Sequence, residues 1–285
     1  VTFINTSKLL GTISTGLNPV WLVSLSGRYL YVANSRNKNI TIIDTADTNA
    51  TQVSEPKIQI TVWNGPSAIA LVWTKIYVAN TDDSTVSVIN TTNNTVSKTI
   101  PVGDKPIALS VIGTNLFVAN SGVDTVSMID TATDTVKQTI KVGTSPLSMT
   151  VSGTKLYVQN KDTKSISIIY TAAPVLKSFS TDTPNATYGE GAVINIAALF
   201  DQKLAQGSIM TILMNNGVEL ILNTINDQEL SANYTIRPGD DIGDLSVRSI
   251  KSASVTGISG LKATTNYTIP AKKNIGDLKN IIIAT

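Results

Sequence analysis

The chain has no histidine and no cysteine, and only 5% of its 285 residues are aromatic. Without histidine there is no Ser-His-Asp or Cys-His relay, no histidine-ligated haem, copper or zinc, and no side chain that ordinarily titrates near neutral pH. Without cysteine there is no disulfide framework and no thiol chemistry. Charge is sparse at 15% and nearly balanced, with a net of +2, so no broad electrostatic footprint for nucleic acid or an anionic membrane exists. No apolar run approaches the roughly 18 residues that a membrane-spanning helix needs.

What the chain has in quantity is repetition. Leu30-Tyr-Val-Ala-Asn34 returns as Ile76-Tyr-Val-Ala-Asn80, Leu116-Phe-Val-Ala-Asn120 and Leu156-Tyr-Val-Gln-Asn160, after steps of 46, 40 and 40 residues. A period of that length marks a propeller blade or a solenoid unit. The third copy displays the whole unit. Pro106 to Val111 is a short apolar run, Gly113 to Asn115 a turn, and Leu116 to Asn120 a second run. Thr125 to Asp130 is a third run, Thr131 to Asp134 a turn, and Thr135 to Ile140 a fourth. Four β-branched runs separated by Gly, Asn, Asp and Thr clusters predict a four-stranded blade, and runs this short exclude a helical solenoid.

The second and third strands are apolar at nearly every position, as strands buried on both faces are, whereas the fourth carries Lys137 as an outer edge should. Gly16 to Pro19, Gly103 to Pro106 and Gly143 to Pro146, with Gly65-Pro66 as a shortened form, link each fourth strand to the next first strand. Val1 to Asn5 and Lys8 to Ile13 read as a third and fourth strand, three full units follow, and a three-strand remainder ends near Tyr170, giving seventeen strands. That total does not divide into fours. The expectation is a propeller that is incomplete at its N-terminus; the rival is a complete ring of about four blades with one irregular strand.

Tyr31-Val-Ala-Asn34 and Tyr77-Val-Ala-Asn80, followed by Val86-Ser-Val-Ile-Asn90, Thr95 to Ile100 and Val102-Gly103, resemble the YVTN-type β-propeller repeat of archaeal and bacterial surface-layer proteins. The resemblance covers residues 1 to 170 and implies a propeller exposed at the cell surface. Two departures stand out: Gln159 replaces the small residue of the motif, and Tyr170 replaces the Asp or Asn found at Asp44, Asn90 and Asp130.

The repeat phase ends near Tyr170, and Thr171-Ala-Ala-Pro174 reads as a hinge. Residues 171–285 carry seven apolar runs: Val175 to Phe179, Ala192 to Phe200, Ile209 to Met214, Val218 to Asn223, Leu230 to Ile236, Leu245 to Val255 and Leu278 to Ala284. Asn216-Gly217 between two of them is a strong hairpin signal, and the set predicts an Ig-like β-sandwich. Tyr188-Gly-Glu-Gly-Ala-Val-Ile-Asn-Ile196 and Asn233 to Asp241 resemble the bacterial Ig-like modules of large adhesins. The final run either closes this sandwich, the preferred reading, or is an edge donated to a neighbour.

Asp240, Asp241 and Asp244 place three carboxylates within five residues, which reads as a calcium site or as a polar turn. No cofactor is expected, the polar turn being the preferred reading and calcium the alternative. Asn5, Asn39, Asn49, Asn90, Asn93, Asn185, Asn233 and Asn266 are N-x-S/T glycan acceptors in an exported protein, although turns draw on the same residue types. Asp82, Asp83, Asp124 and Asp162 recur at equivalent loops and read as turn chemistry rather than as a catalytic cluster. Trp21, Trp63 and Trp73 read as fillers between blades, with sugar-stacking platforms as the alternative. Six extra residues between Asp44 and Pro56 lengthen one hairpin, which becomes a contact loop bearing Asn49 or a neutral length variant.

The expectation drawn from all this is an all-β, two-part, non-enzymatic extracellular protein. It would be a subunit of a surface layer, sheath or appendage filament, or an adhesin, with itself, other surface proteins or glycans as partners and with neither nucleic acid nor membrane insertion. The alternative is a small-molecule-binding or lactonase-like hydrolytic propeller.

Overall fold

The computed structural model describes residues 2–5, 8–12, 15–45, 58–240, 243–257, 267–278 and 281–283. It divides into two compact units, Val1–Ile169 and Tyr170–Thr285.

In the first unit, β1 (Thr2–Asn5) and β2 (Lys8–Thr12) pair as an antiparallel hairpin. A first four-stranded sheet runs in chain order through β3 (Pro19–Leu25), β4 (Tyr29–Asn34), β5 (Asn39–Asp44) and β6 (Ile58–Thr61). The second holds β7 (Pro66–Val72), β8 (Lys75–Asn80), β9 (Thr85–Asn90) and β10 (Thr95–Pro101), and the third β11 (Pro106–Ile112), β12 (Asn115–Asn120), β13 (Thr125–Asp130) and β14 (Thr135–Lys141). The fourth sheet has three strands, β15 (Pro146–Ser152), β16 (Lys155–Asn160) and β17 (Ser165–Tyr170). The first strands neighbour one another in the series β3, β7, β11, β15. Consecutive antiparallel blades with adjacent first strands are consistent with a β-propeller.

Every first strand begins at a proline and shifts register directly after it, at Pro19/Trp21, Pro66/Ala68, Pro106/Ala108 and Pro146/Ser148. Proline has no N–H to give the ladder, so a bulge at the start of a strand is where it fits. The turn before each second strand needs a left-handed residue. Gly113 and Gly153 supply it at φ +57°, but Trp73 occupies the same place at φ 55°.

Alternation along the strands sends one set of side chains toward the preceding blade and the other toward the next. Tyr31, Ile40 and Ile42 pack on Ile69, Ile76, Val78 and Ile89 of the second blade. Tyr77, Val86 and Val88 pack in turn on Leu116, Val118 and Ile129, and Phe117, Val126 and Met128 on Leu156, Val158 and Ile169. Each fully buried side chain of this size contributes about 1.5–3 kcal/mol, so the blade interfaces hold the array together.

Polar residues of the repeat make two kinds of tie. The motif asparagines are buried, and their amides reach back into their own third strands. Asn80 Nδ2 donates to Thr85 Oγ1 and Ser87 Oγ, both at 3.0 Å, and Asn120 Nδ2 donates to Thr125 Oγ1 at 3.0 Å and Ser127 Oγ at 2.9 Å. Gly103 lies so close that a Cβ there would sit 2.7 Å from Asn120 Cγ. The motif tyrosines reach forward instead. Tyr31 Oη donates to Asn94 Oδ1 at 3.1 Å and Tyr77 Oη to Asp134 Oδ1 at 2.5 Å, each partner lying in the turn between the third and fourth strands of the next blade. The fourth blade is three-stranded and offers no such turn, and the preceding motif there has Phe117. A buried hydroxyl without a partner would be costly at that place.

In the second unit, β18 (Leu176–Ser180), β19 (Ala186–Tyr188), β20 (Val193–Phe200), β21 (Ile209–Met214), β22 (Glu219–Leu222), β23 (Thr224–Asn226), β24 (Glu229–Thr235) and β25 (Val247–Ser254) precede a short helix α1 (Ile275–Leu278) and β26 (Ile281–Ile283). They form the sheets β18-β20-β24-β23 and β22-β21-β25 and a parallel pair β19-β26. The two larger sheets share one core, with Phe179, Ile194 and Ile196 from one and Met210, Ile212 and Val247 from the other. The expected hairpin is β21-β22, with Gly217 at φ +86° and Asn216 Oδ1 accepting from Val218 N at 3.3 Å. The final run pairs with β19 of its own chain. No helix among the described residues is long and apolar enough to cross a membrane.

Candidate functional site

The repeated acids are occupied in turns. Asp83 accepts from Asn64 Nδ2 at 2.9 Å and also from Asn64 N, and these bonds hold its carboxyl below the usual range. Asp124 Oδ1 accepts from Ser145 N at 2.9 Å, and Asp162 Oδ2 accepts from Ser145 Oγ at 2.5 Å. Among the described residues, no three acidic side chains gather where they could hold a metal ion.

Of the three aspartates read as a polar turn or a calcium site, Asp240 accepts from Tyr234 Oη at 2.5 Å and from Arg237 N at 2.8 Å. Burial, then this hydrogen bond, pushes the Tyr234 hydroxyl up from its ordinary pKa. Asp244 accepts from Asn215 Nδ2 through its main-chain oxygen at 2.6 Å, and Asp241 lies outside the described residues. The glycan candidates are scattered. Asn185 and Asn233 are exposed, Asn93 is exposed and caps Thr95 N, and Asn90 is half-buried and caps Thr92 N. Asn39 is buried, donating to Gln59 Oε1 at 3.1 Å and accepting from Asn34 Nδ2 at 2.8 Å, so its amide is spent inside the sheet rather than presented to a glycan donor. Asn5 ends β1, while Asn49, Asn266 and the lengthened hairpin around Asn49 lie outside the described residues.

The tryptophans correct the expectation of blade fillers. Trp21 and Trp63 are each 52% exposed and Trp73 is 81% exposed. Trp73 sits at a turn rather than on a packed face, and Trp63 lies in a groove with Thr61, Val62 and Val96, its Nε1 donating to Thr99 Oγ1 at 3.1 Å.

The feature that sequence reasoning missed is the forward face of the fourth blade. In the second blade this face carries Ala68, Ala70, Val72 and Ala79, all buried; the third blade has Ala108, Ser110, Ile112 and Ala119 at the same places. In the fourth blade the equivalents are Ser148, Thr150, Ser152 and Gln159, all exposed. Ser148 Oγ donates to Gln159 Oε1 at 2.9 Å. Ser148, Thr150 and Gln159, with Tyr157, Asn160 and Ser165, line an open cavity of about 600 Å³. Lys161, Lys164 and Ile166 stand at it as well. The volume falls within the roughly 300–1,000 Å³ of small-molecule sites. The signal was present in Gln159, and laying the blades over one another residue by residue would have extended it to Ser148, Thr150 and Ser152.

No known protein family and no curated protein matches the chain. Among solved structures it is similar to Kuenenia stuttgartiensis hydrazine synthase, at 18% identity and a TM-score of 0.48, over 88% of this chain and 80% of that one. It is also similar to the dihydro-heme d1 dehydrogenase NirN in complex with DHE, at 14% identity and a TM-score of 0.44, over 95% and 70% of the two chains. A third is apo AztD from Citrobacter koseri, at 15% identity and a TM-score of 0.35, over 45% and 35%. These likenesses concern the fold, and they correct one step of the sequence reading. The expectation of a non-enzymatic structural subunit is not carried further, since a synthase and a dehydrogenase stand among the structures found. The surface-layer, sheath, appendage and adhesin roles are withdrawn with it.

Proposed function

We propose that the chain is a small-molecule-binding propeller whose site is the forward face of the fourth blade. The observation that carries this reading is the change on that face from buried alanine and valine to exposed serine, threonine and glutamine around a cavity of about 600 Å³. Concave sites that join an apolar wall to a few placed polar groups are the usual form of ligand pocket. Here Tyr157 and Ile166 supply the wall, and the Ser148–Gln159 hydrogen bond fixes two of the polar groups. The YVTN-type resemblance of residues 1–170, the Ig-like resemblance of residues 171–285 and an extracellular setting belong to the same reading.

The test is a thermal-shift screen of a small-molecule collection against the wild type and Gln159→Trp, whose indole fills the cavity. A ligand at 100 times its Kd adds about 2.7 kcal/mol, which for a unit of this size is a rise of roughly 5–10 °C. Hits should shift the wild type and leave the variant unmoved. Hits that shift both equally would place binding elsewhere and sink the proposal.

A further inference from the structure

We infer that the ligand of this face is a carboxylated sugar, a step that rests on the binding-site reading above. Three properties of the fourth blade converge on that class. First, the turn between its second and third strands carries Lys161 and Lys164, where the first blade has Ser35 and Lys38, the second Thr81 and Ser84 and the third Ser121 and Asp124, so the fourth alone carries the pair. The repeat does not require these lysines, and no carboxylate lines the cavity beside them. Asp162, between the two in sequence, spends its carboxylate on Ser145 Oγ at 2.5 Å. Asp162 keeps its charge in that bond, so two ammonium groups stand against one carboxylate in this turn and the local balance is positive, which attracts an anion.

Second, the remaining polar lining is neutral and able both to donate and to accept. Ser148, Thr150 and Ser165 bring hydroxyls, and Gln159 brings an amide. Because Gln159 Oε1 accepts from Ser148 Oγ at 2.9 Å, the two N–H donors of that amide stay available to a ligand. Such a lining suits a ring of hydroxyl groups better than a bare phosphate or sulfate. Third, Tyr157 and Ile166 form an apolar wall of the kind that packs against the C–H face of a pyranose. An ammonium pair, mixed hydroxyl partners and a flat apolar surface together match a uronic acid. A neutral sugar would leave the lysines unused, and an inorganic anion would leave the wall unused.

The experiment is isothermal titration of the full chain with digalacturonic acid, with its neutral counterpart digalactose and with inorganic phosphate, on the wild type and on Lys161→Met/Lys164→Met. Losing a charge-assisted contact costs about tenfold or more in affinity. The acid should therefore bind the wild type at least tenfold more tightly than the neutral disaccharide, weaken as salt rises, and lose that preference in the double variant. Thermal melting without ligand should be the same for both proteins, since neither lysine is packed in a blade interface. If the neutral disaccharide binds as tightly as the acid, the charge assignment is wrong while the binding face stands. If phosphate alone competes as well as the acid, the sugar class is wrong. Failure of every compound in the broader screen to bind the wild type would instead remove the binding-face reading itself.

Discussion

Tyr77→Phe should destabilise the first unit by about 1.5–3 kcal/mol, the range for a hydrogen bond to an ionised partner. The hydroxyl is fully buried and donates to Asp134 at 2.5 Å. Lys75 Nζ, 2.7 Å from Asp134 Oδ2, remains after the substitution and holds part of the site, so the lower half of the range applies. Tyr31→Phe provides the internal comparison, because its hydroxyl meets the neutral Asn94 at 3.1 Å. That loss should be about 0.5–1.5 kcal/mol. Both can be read by urea unfolding with excitation of tryptophan alone, since all three tryptophans, Trp21, Trp63 and Trp73, lie in the first unit. pH adds a second readout. Burial first, and the bond to Asp134 second, raise the Tyr77 hydroxyl far above its ordinary pKa of 10.0. Above about pH 10 the unfolded chain gives up a proton that the folded chain keeps, so Tyr77 contributes stability fully below pH 10 and loses it progressively as pH rises. The phenylalanine variant should show a shallower alkaline decline. An equal loss for the two variants, or an unchanged alkaline slope for Tyr77→Phe, would refute the claim that a charged forward tie joins the second blade to the third.

Trp73→Gly should raise stability by roughly 0.5–1 kcal/mol, because glycine accepts the left-handed backbone that costs an L-residue about 1–2 kcal/mol; a fall in the urea midpoint would show that the exposed indole makes a contact that matters. Gly103→Ala should cost about 1–3 kcal/mol, since the added methyl meets Asn120 Cγ at 2.7 Å and must push the buried amide off Thr125 and Ser127. Gly243→Ala, where nothing lies within 4 Å, is its control in a denaturant titration and should change little.

The strands of the first unit were legible because each is bracketed by turn residues and because a middle strand buried on both faces leaves an unbroken apolar run such as Val86-Ser-Val-Ile. Seventeen strands are expected from the sequence, and β1 to β17 stand among the described residues. In the second unit β19 and β23 were missed, for each is only three residues long and too short to alternate. Trp73 misled because size and hydrophobicity argue for burial while a turn position at φ 55° argues against it, and only the fold shows the turn. The tyrosine ties join residues 63 and 57 apart, so no local pattern could show them. The candidate site was half visible. Gln159 announced a departure from the motif, but whether its face meets another blade or solvent is decided by neighbours the motif does not name.

Phe117 has a consequence for how the array comes apart. Tyrosine ties join the first blade to the second and the second to the third, and at Phe117 that series of polar latches stops. The fourth blade, three-stranded and bearing the cavity, thus meets the third without a tyrosine tie, held at that seam by Ser145 N donating to Asp124 Oδ1 at 2.9 Å and by apolar packing. Under rising temperature or pulling force it is the piece expected to loosen first. A molecule lodged against Tyr157 and Ile166 would then act as a wedge-shaped keeper, so that the tightness of the whole array reports whether the face is filled.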